Sequence, residues 1–289
     1  MATWDRSTPW RQGHILKPET IALLGEPEPE EQRIAAVVAS HDCDLSQPAE
    51  SEPLVEIILG RYIDAPDGNY TNSKNLRLLH IECSTHTDTT WIELDTRRRV
   101  SVPKELLSGV AGAPFEHEPS HLQQLSNRER NTLQLWLAAR YRRAAFPDEF
   151  DRRLKDEVRL LEPLSKALRE TGQFIPAIFF DLDEGMELQR EGANDLYELA
   201  IILLYATDQD PQAAEAAALA AKNLIETAFK KRCQPKDAHG AEAWQWIELV
   251  DVIVMSDTAL TYAQSTQLKK WQIDHISLRA DPAQPVLGN

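Results

Sequence analysis

Apolar residues in the first hundred positions come in short continuous or alternating runs, the signature of strands rather than helices. Such runs fall at 14–17, 34–40, 54–62, 76–82 and 91–94. Turn chemistry separates them: Pro27 and Pro29, Pro66-Asp67-Gly68-Asn69, and the polar stretch 84–90. Several short strands punctuated in this way predict a small barrel or curled sheet.

After about residue 126 the apolar period lengthens to that of a helix. Leu133, Trp136, Leu137 and Tyr141 recur at helical spacing, with Ser126 as N-cap, Glu129 as its capping-box partner and Pro147 as the stop. A second helix over 151–171 carries Leu154, Val158, Leu161 and Leu164 on one stripe, ends at Gly172 and should kink at Pro163. Strands then follow at 174–182, 197–206, 246–255 and 273–278, with a long helix opened by Asp210-Pro211 and a short one within 257–271. The expected fold is therefore α+β: an N-terminal small β-barrel over 1–120, a helical linker over 121–172 and a C-terminal ferredoxin-like sandwich over 173–289.

Composition narrows the setting. No apolar run approaches the roughly 20 residues that span a bilayer, so no membrane association is expected. The N-terminus lacks a basic region followed by an apolar one, which places the chain in the cytoplasm. Cys43, Cys83 and Cys233 fit reduced thiols better than a disulfide framework. A formal charge of −15 opposes general binding to polyanions, yet the stretch 97–159 is net positive. Within it Arg140 and Arg143 share a helix face that suits an acidic domain, a protein partner or a phosphate.

The densest candidate chemistry follows the apolar run 34–40: His41, Asp42, Cys43 and Asp44 stand at its exit. Three arrangements compete. Cys43 can simply be a buried thiol at a strand end, with Asp42 and Asp44 capping the next turn. His41 and Cys43 can join His80, Cys83 and His86 as nitrogen and sulfur ligands of zinc. Or Asp44 and Glu56 can form the carboxylate pair that holds a divalent cation in phosphodiesterases, with Asn75 and Arg77 binding substrate and His80 carrying a proton. Ile58 stands where such sites customarily have lysine. The run Asp181-Leu182-Asp183-Glu184-Gly185 suits an exposed turn, and Trp244, Trp246 and Trp271 suit a core or a partner contact. The chain has no GxGxxG, Walker, HExxH or GxSxG motif.

Gln12-Gly13-His14-Ile15, followed by the apolar strand ending at Ser40, resembles the opening of the MazF/PemK-type ribonuclease toxins. Their small SH3-like barrel begins with a Gly-Asp-Ile strand; here His14 takes the place of the aspartate. The likeness runs to about residue 60 and implies a barrel and a ribonuclease ancestry. The expected function is that of a toxin-like or defence-type protein acting on nucleic acid, with His41, Asp42, Cys43, Asp44, Glu56 and His80 as catalytic residues. The rival expectation is a non-catalytic subunit that binds a protein partner or a second copy of itself.

Overall fold

The computed structural model describes residues 4–25, 34–85, 88–109, 115–139, 146–186, 188, 190–236 and 239–272. These fall into two units: those within Met1–Pro66 and Arg77–Ala139, and those within Asp67–Leu76 and Arg140–Leu278. The fold is α+β, with one sheet in each unit. No described helix is long and apolar enough to cross a membrane.

In the first unit, strands β1 (Ile34–Val38), β2 (Leu54–Ile63), β3 (Leu78–Ser84) and β4 (Thr89–Pro103) form an antiparallel sheet in the order β1-β2-β4-β3. No closed barrel is seen among the described residues; the sheet is four-stranded and open. The pairing is irregular at one place. Pairing of β2 with β4 jumps from Ile58↔Arg99 to Gly60↔Leu94, so Leu59 faces the whole bulge Asp95–Arg98. Gly60 sits so close to β4 that a Cβ there would lie 2.2 Å from the Glu93 carbonyl, which only glycine permits.

Both faces of this sheet are covered, which explains why β1 is an uninterrupted apolar run. Ala36, Val38, Ile57 and Val100 pack with Trp10 and with Ile21 of α1 (Pro18–Ala22). Ala35, Val37, Ile81 and Ile92 pack on the other side against Leu133 and Trp136 of α4 (Asn127–Ala139). Two further short helices, α2 (Asp42–Leu45) and α3 (Lys104–Ser108), flank the sheet. The open edge of β1 is satisfied by the N-terminal segment, where Leu16 N donates to Ala36 O and Val38 N to His14 O, each at 2.9 Å. Ser126 caps α4 as expected, accepting from Glu129 N at 3.1 Å, but the Glu129 carboxylate turns instead to Glu82 N at 3.3 Å.

The second unit contains β5 (Ala177–Leu182), β6 (Tyr197–Tyr205), β7 (Ile247–Ser256) and β8 (Lys269–Lys270) in the order β7-β6-β5-β8. β5 and β6 form an antiparallel pair, whereas β7 runs parallel to β6 after the crossover helix α7 (Pro211–Cys233). Asp210 starts α7 by accepting from Ala213 N at 3.0 Å. Ala218 and Ala221 let this helix approach the sheet closely, and Ile225 and Phe229 fill the core beside Phe180 and Ile201. α5 (Asp148–Arg152), α6 (Leu161–Leu168) and the short α8 (Tyr262–Gln267) complete the unit.

Two expectations are corrected here. The second helix breaks before Pro163 rather than at it: α5 runs into a π-helical turn over Arg153–Glu157, Arg159 takes φ +50°, and α6 begins afresh. Pro163 then lies in the first turn of α6, where its missing N–H is not needed. The first part of the expected strand 174–182 is a 3-10 turn, Gly172–Phe174. The strand expected at 273–278 lies outside the described residues.

Candidate functional site

β1 ends at Val38, and the chain then turns into α2. His41 is the N-cap of α2: its Nδ1 accepts from Cys43 N at 3.2 Å. That lone pair is engaged in capping, which weakens the case for His41 as a base. Cys43 is an exposed free thiol rather than a buried one, and the turn is capped by His41, not by Asp42 or Asp44. Asp42 reaches back to the N-terminal segment, its Oδ1 accepting from Gln12 N at 2.7 Å. Asp44 is exposed, and its backbone carbonyl accepts from Lys104 Nζ at 2.8 Å. Lys104 is fully buried, stacks over the Trp4 ring and closes the C-terminal end of α2 through Gln47 O as well.

The other residues expected at this site go elsewhere. Glu56 meets the end of β1 through its backbone, with Ala39 N donating to its carbonyl at 2.8 Å, while its carboxylate takes Arg99 at 3.4 Å. His80 pairs across the strands with Glu93 at 3.0 Å, and Arg61 donates to the other oxygen at 2.8 Å. Burial would raise the Glu93 carboxyl, but those two partners hold it below the usual range. Cys83 points into the apolar layer on the opposite face of β3, where burial pushes its thiol up to about 11. His86 lies outside the described residues. Among the described residues no three His, Cys, Asp or Glu side chains converge on a metal position. Asn75 is buried within the second unit, whereas Arg77 belongs to the first and gives its carbonyl to Thr96 N. Arg140 and Arg143 lie outside the described residues.

What does assemble at the exit of β1 is a basic cluster. Gly13 takes φ +82°, and a Cβ there would lie 3.3 Å from Arg130 Cγ, so glycine both allows the turn and admits the arginine stem. Gln12, nearly inaccessible, locks the segment by donating to Ala39 O at 2.7 Å and accepting from Gln134 of α4 at 3.0 Å. His14 Nδ1 accepts from Arg11 N at 3.0 Å. Burial, then Arg130, then Arg11 lower its pKa to about 4, with Asp42 opposing them. A neutral imidazole with Nδ1 engaged carries its proton on Nε2, so His14 presents a donor.

The two arginines differ. Arg11 spends its guanidinium on the carbonyls of Arg6, Thr8 and Trp10, and so holds the backbone. Arg130 Nε is buried and has no hydrogen-bond partner among the described residues. An unmet donor of this kind costs about 1–3 kcal/mol unless a ligand or water accepts from it. Arg130 and Asp42 both lie within electrostatic reach of His14, and Asp42 is the one member of the expected cluster that does. Sequence reasoning placed His14 only as a substituted family position and did not single out Arg130. The signal was Gly13, whose left-handed turn faces α4.

A second charged cluster lies in the other unit. Arg153 is fully buried between the rings of Tyr197 and Trp246 and donates to Glu149 at 2.7 Å and to Asp195 O at 2.7 Å. Arg152, then Arg153, hold Glu149 down to about 2. Arg190 bridges Asp183 and Asp195 at 2.9 and 3.0 Å. Its two terminal nitrogens are spent on these carboxylates, while Arg190 Nε and Arg153 Nη2 are buried without a hydrogen-bond partner among the described residues.

Comparison with protein families, curated proteins and solved structures gives no match to this chain.

Proposed function

We propose that the first unit binds a nucleic-acid phosphate at the exit of β1, and that the protein is a toxin-like or defence-type protein of the cytoplasm acting on nucleic acid. The observation that carries this is Arg130 Nε, a buried guanidinium donor without a hydrogen-bond partner among the described residues, set beside a histidine that stays neutral and offers Nε2–H. Phosphate oxygens accept from such donors, and a guanidinium suits them better than an ammonium does. On a chain of charge −15 a local basic cluster favours one short contact over a long electrostatic track. The likeness of residues 12–15 and 34–40 to the opening of the MazF/PemK-type toxins supports the same direction, including an RNA substrate. In this reading His14 and Arg130 position the phosphate, and Asp42 is the group near enough to move a proton.

The test is incubation of the purified full chain with a fluorescently labelled single-stranded RNA and its DNA counterpart, with and without EDTA. Cleavage of RNA that survives EDTA is expected. Cleavage abolished by EDTA would return the site to a metal-dependent mechanism, and absence of both binding and cleavage would reject the proposal.

A further inference from the structure

The second sheet has two unlike faces. One is covered by α6 and α7; the other carries Phe179, Ile202 and Leu204, against which, among the described residues, Ala177 and Met255 of the sheet itself and Leu260 and Leu268 from beyond it pack. Beside that partial cover lies a cleft of about 500 Å³ with Ile202, Ile253, Met255 and Leu260 on its apolar walls. Ile253 is 38% exposed, although Ile202, its register partner on β6, is only 9% exposed. β7 is the edge of the sheet, and no described strand pairs with its outer side. An open apolar edge is what proteins ordinarily protect.

Two carboxylates stand in the cleft. Asp181 and Glu184 both line it, and neither makes an ion pair or side-chain hydrogen bond among the described residues. Glu184 is held there by an unusual turn: Asp183, Glu184 and Gly185 take φ of +49°, +54° and +82° in succession. Left-handed backbone at two non-glycine residues costs about 1–3 kcal/mol each and persists where the surroundings enforce it. The buried Asp183 carboxylate supplies that enforcement, accepting from Glu198 N at 3.0 Å and from Arg190 at 2.9 Å.

We propose that this cleft docks an apolar segment of a partner protein that carries a lysine or arginine. Its apolar side chains seat on Ile202, Ile253 and Met255, and its cation lies by Asp181 and Glu184. Charge complementarity selects this occupant over a second copy, which would bring a chain of charge −15 against unneutralised carboxylates. The inference is independent of the nucleic-acid site, since every residue in it belongs to the second unit.

The probe is a short labelled peptide of leucine and lysine, titrated into the full chain and followed by fluorescence anisotropy. Micromolar binding is expected, with a loss of about tenfold in Asp181→Asn with Glu184→Gln. Ile253→Ser should weaken binding comparably, and a peptide of serine and lysine should not bind. Replacing two exposed carboxylates elsewhere, Glu50→Gln with Glu215→Gln, removes the same charge and should change nothing. Circular dichroism confirms that each variant is folded. Equal weakening by both charge pairs would reduce the effect to net charge and overturn the proposal, as would binding indifferent to Ile253→Ser. Absence of binding, or self-association that the peptide disrupts, would overturn it too.

Discussion

Lys74 Nζ donates to the Gly172 carbonyl at 2.7 Å, and so ties the loop Asp67–Leu76 to the rest of its unit. The ammonium also reaches Ile175 O at 2.9 Å and Thr71 Oγ1 at 3.1 Å, and is itself 1% exposed. Asn72 and Ser73 take left-handed backbone just before it. Lys74→Met should therefore destabilise the protein by about 2–4 kcal/mol, because it leaves buried carbonyls unmet. Gly172→Ala should be at least as damaging, since a Cβ there would lie 2.5 Å from the Gly68 carbonyl. Urea unfolding of each variant measures this; an unchanged midpoint would mean the loop is not held as described.

Asp151 gives a stabilising prediction. Burial, helped by the nearby Asp148 charge, raises its pKa to about 6. A carboxyl raised above its unfolded value of 3.8 favours folding when protonated, so its contribution is present below that value and lost as pH rises through about 6. Asp151→Asn keeps the neutral form at every pH. It should stabilise the protein by about 1–2 kcal/mol at pH 7 and have no benefit near pH 3.5. Thermal unfolding at the two pH values checks both halves.

His14 carries the opposite sign. Its folded pKa of about 4 lies below the unfolded 6.5, so the unfolded chain binds more protons between those values. The stability from neutral His14 is complete above 6.5 and is lost as pH falls through about 4. His14→Asn, which can still accept from Arg11 N, should flatten the part of the stability profile between pH 6.5 and 4. Side-chain NMR should show this imidazole neutral at pH 5, and a protonated His14 there would contradict the described environment.

The legible part of the sequence was its periodicity. Alternation and short apolar runs located β1, β2 and β7 because strands and buried faces leave a local pattern, and Asp210-Pro211 announced α7 through its cap. The break before Pro163 was illegible, because the π-helical turn at Arg153 is set by the burial of that side chain between Tyr197 and Trp246. The candidate site was half legible. A strand exit carrying His41 to Asp44 was visible, but which of the four faces the cluster depends on a contact with Gln12 formed 30 residues away. His80 and Glu56 were drawn off by Glu93 and Arg99, and such cross-strand partners follow from register, which the bulge at Leu59 shifts.

The most direct test of the phosphate site is the salt dependence of RNA binding by the wild-type chain and by Arg130→Ala. Each phosphate neutralised on a single strand contributes a slope of about −0.7 in log K against log salt. The variant should remain folded, bind about tenfold more weakly at low salt and lose close to one such unit of slope. Equal affinity and equal slope in the two proteins would contradict a phosphate contact at Arg130.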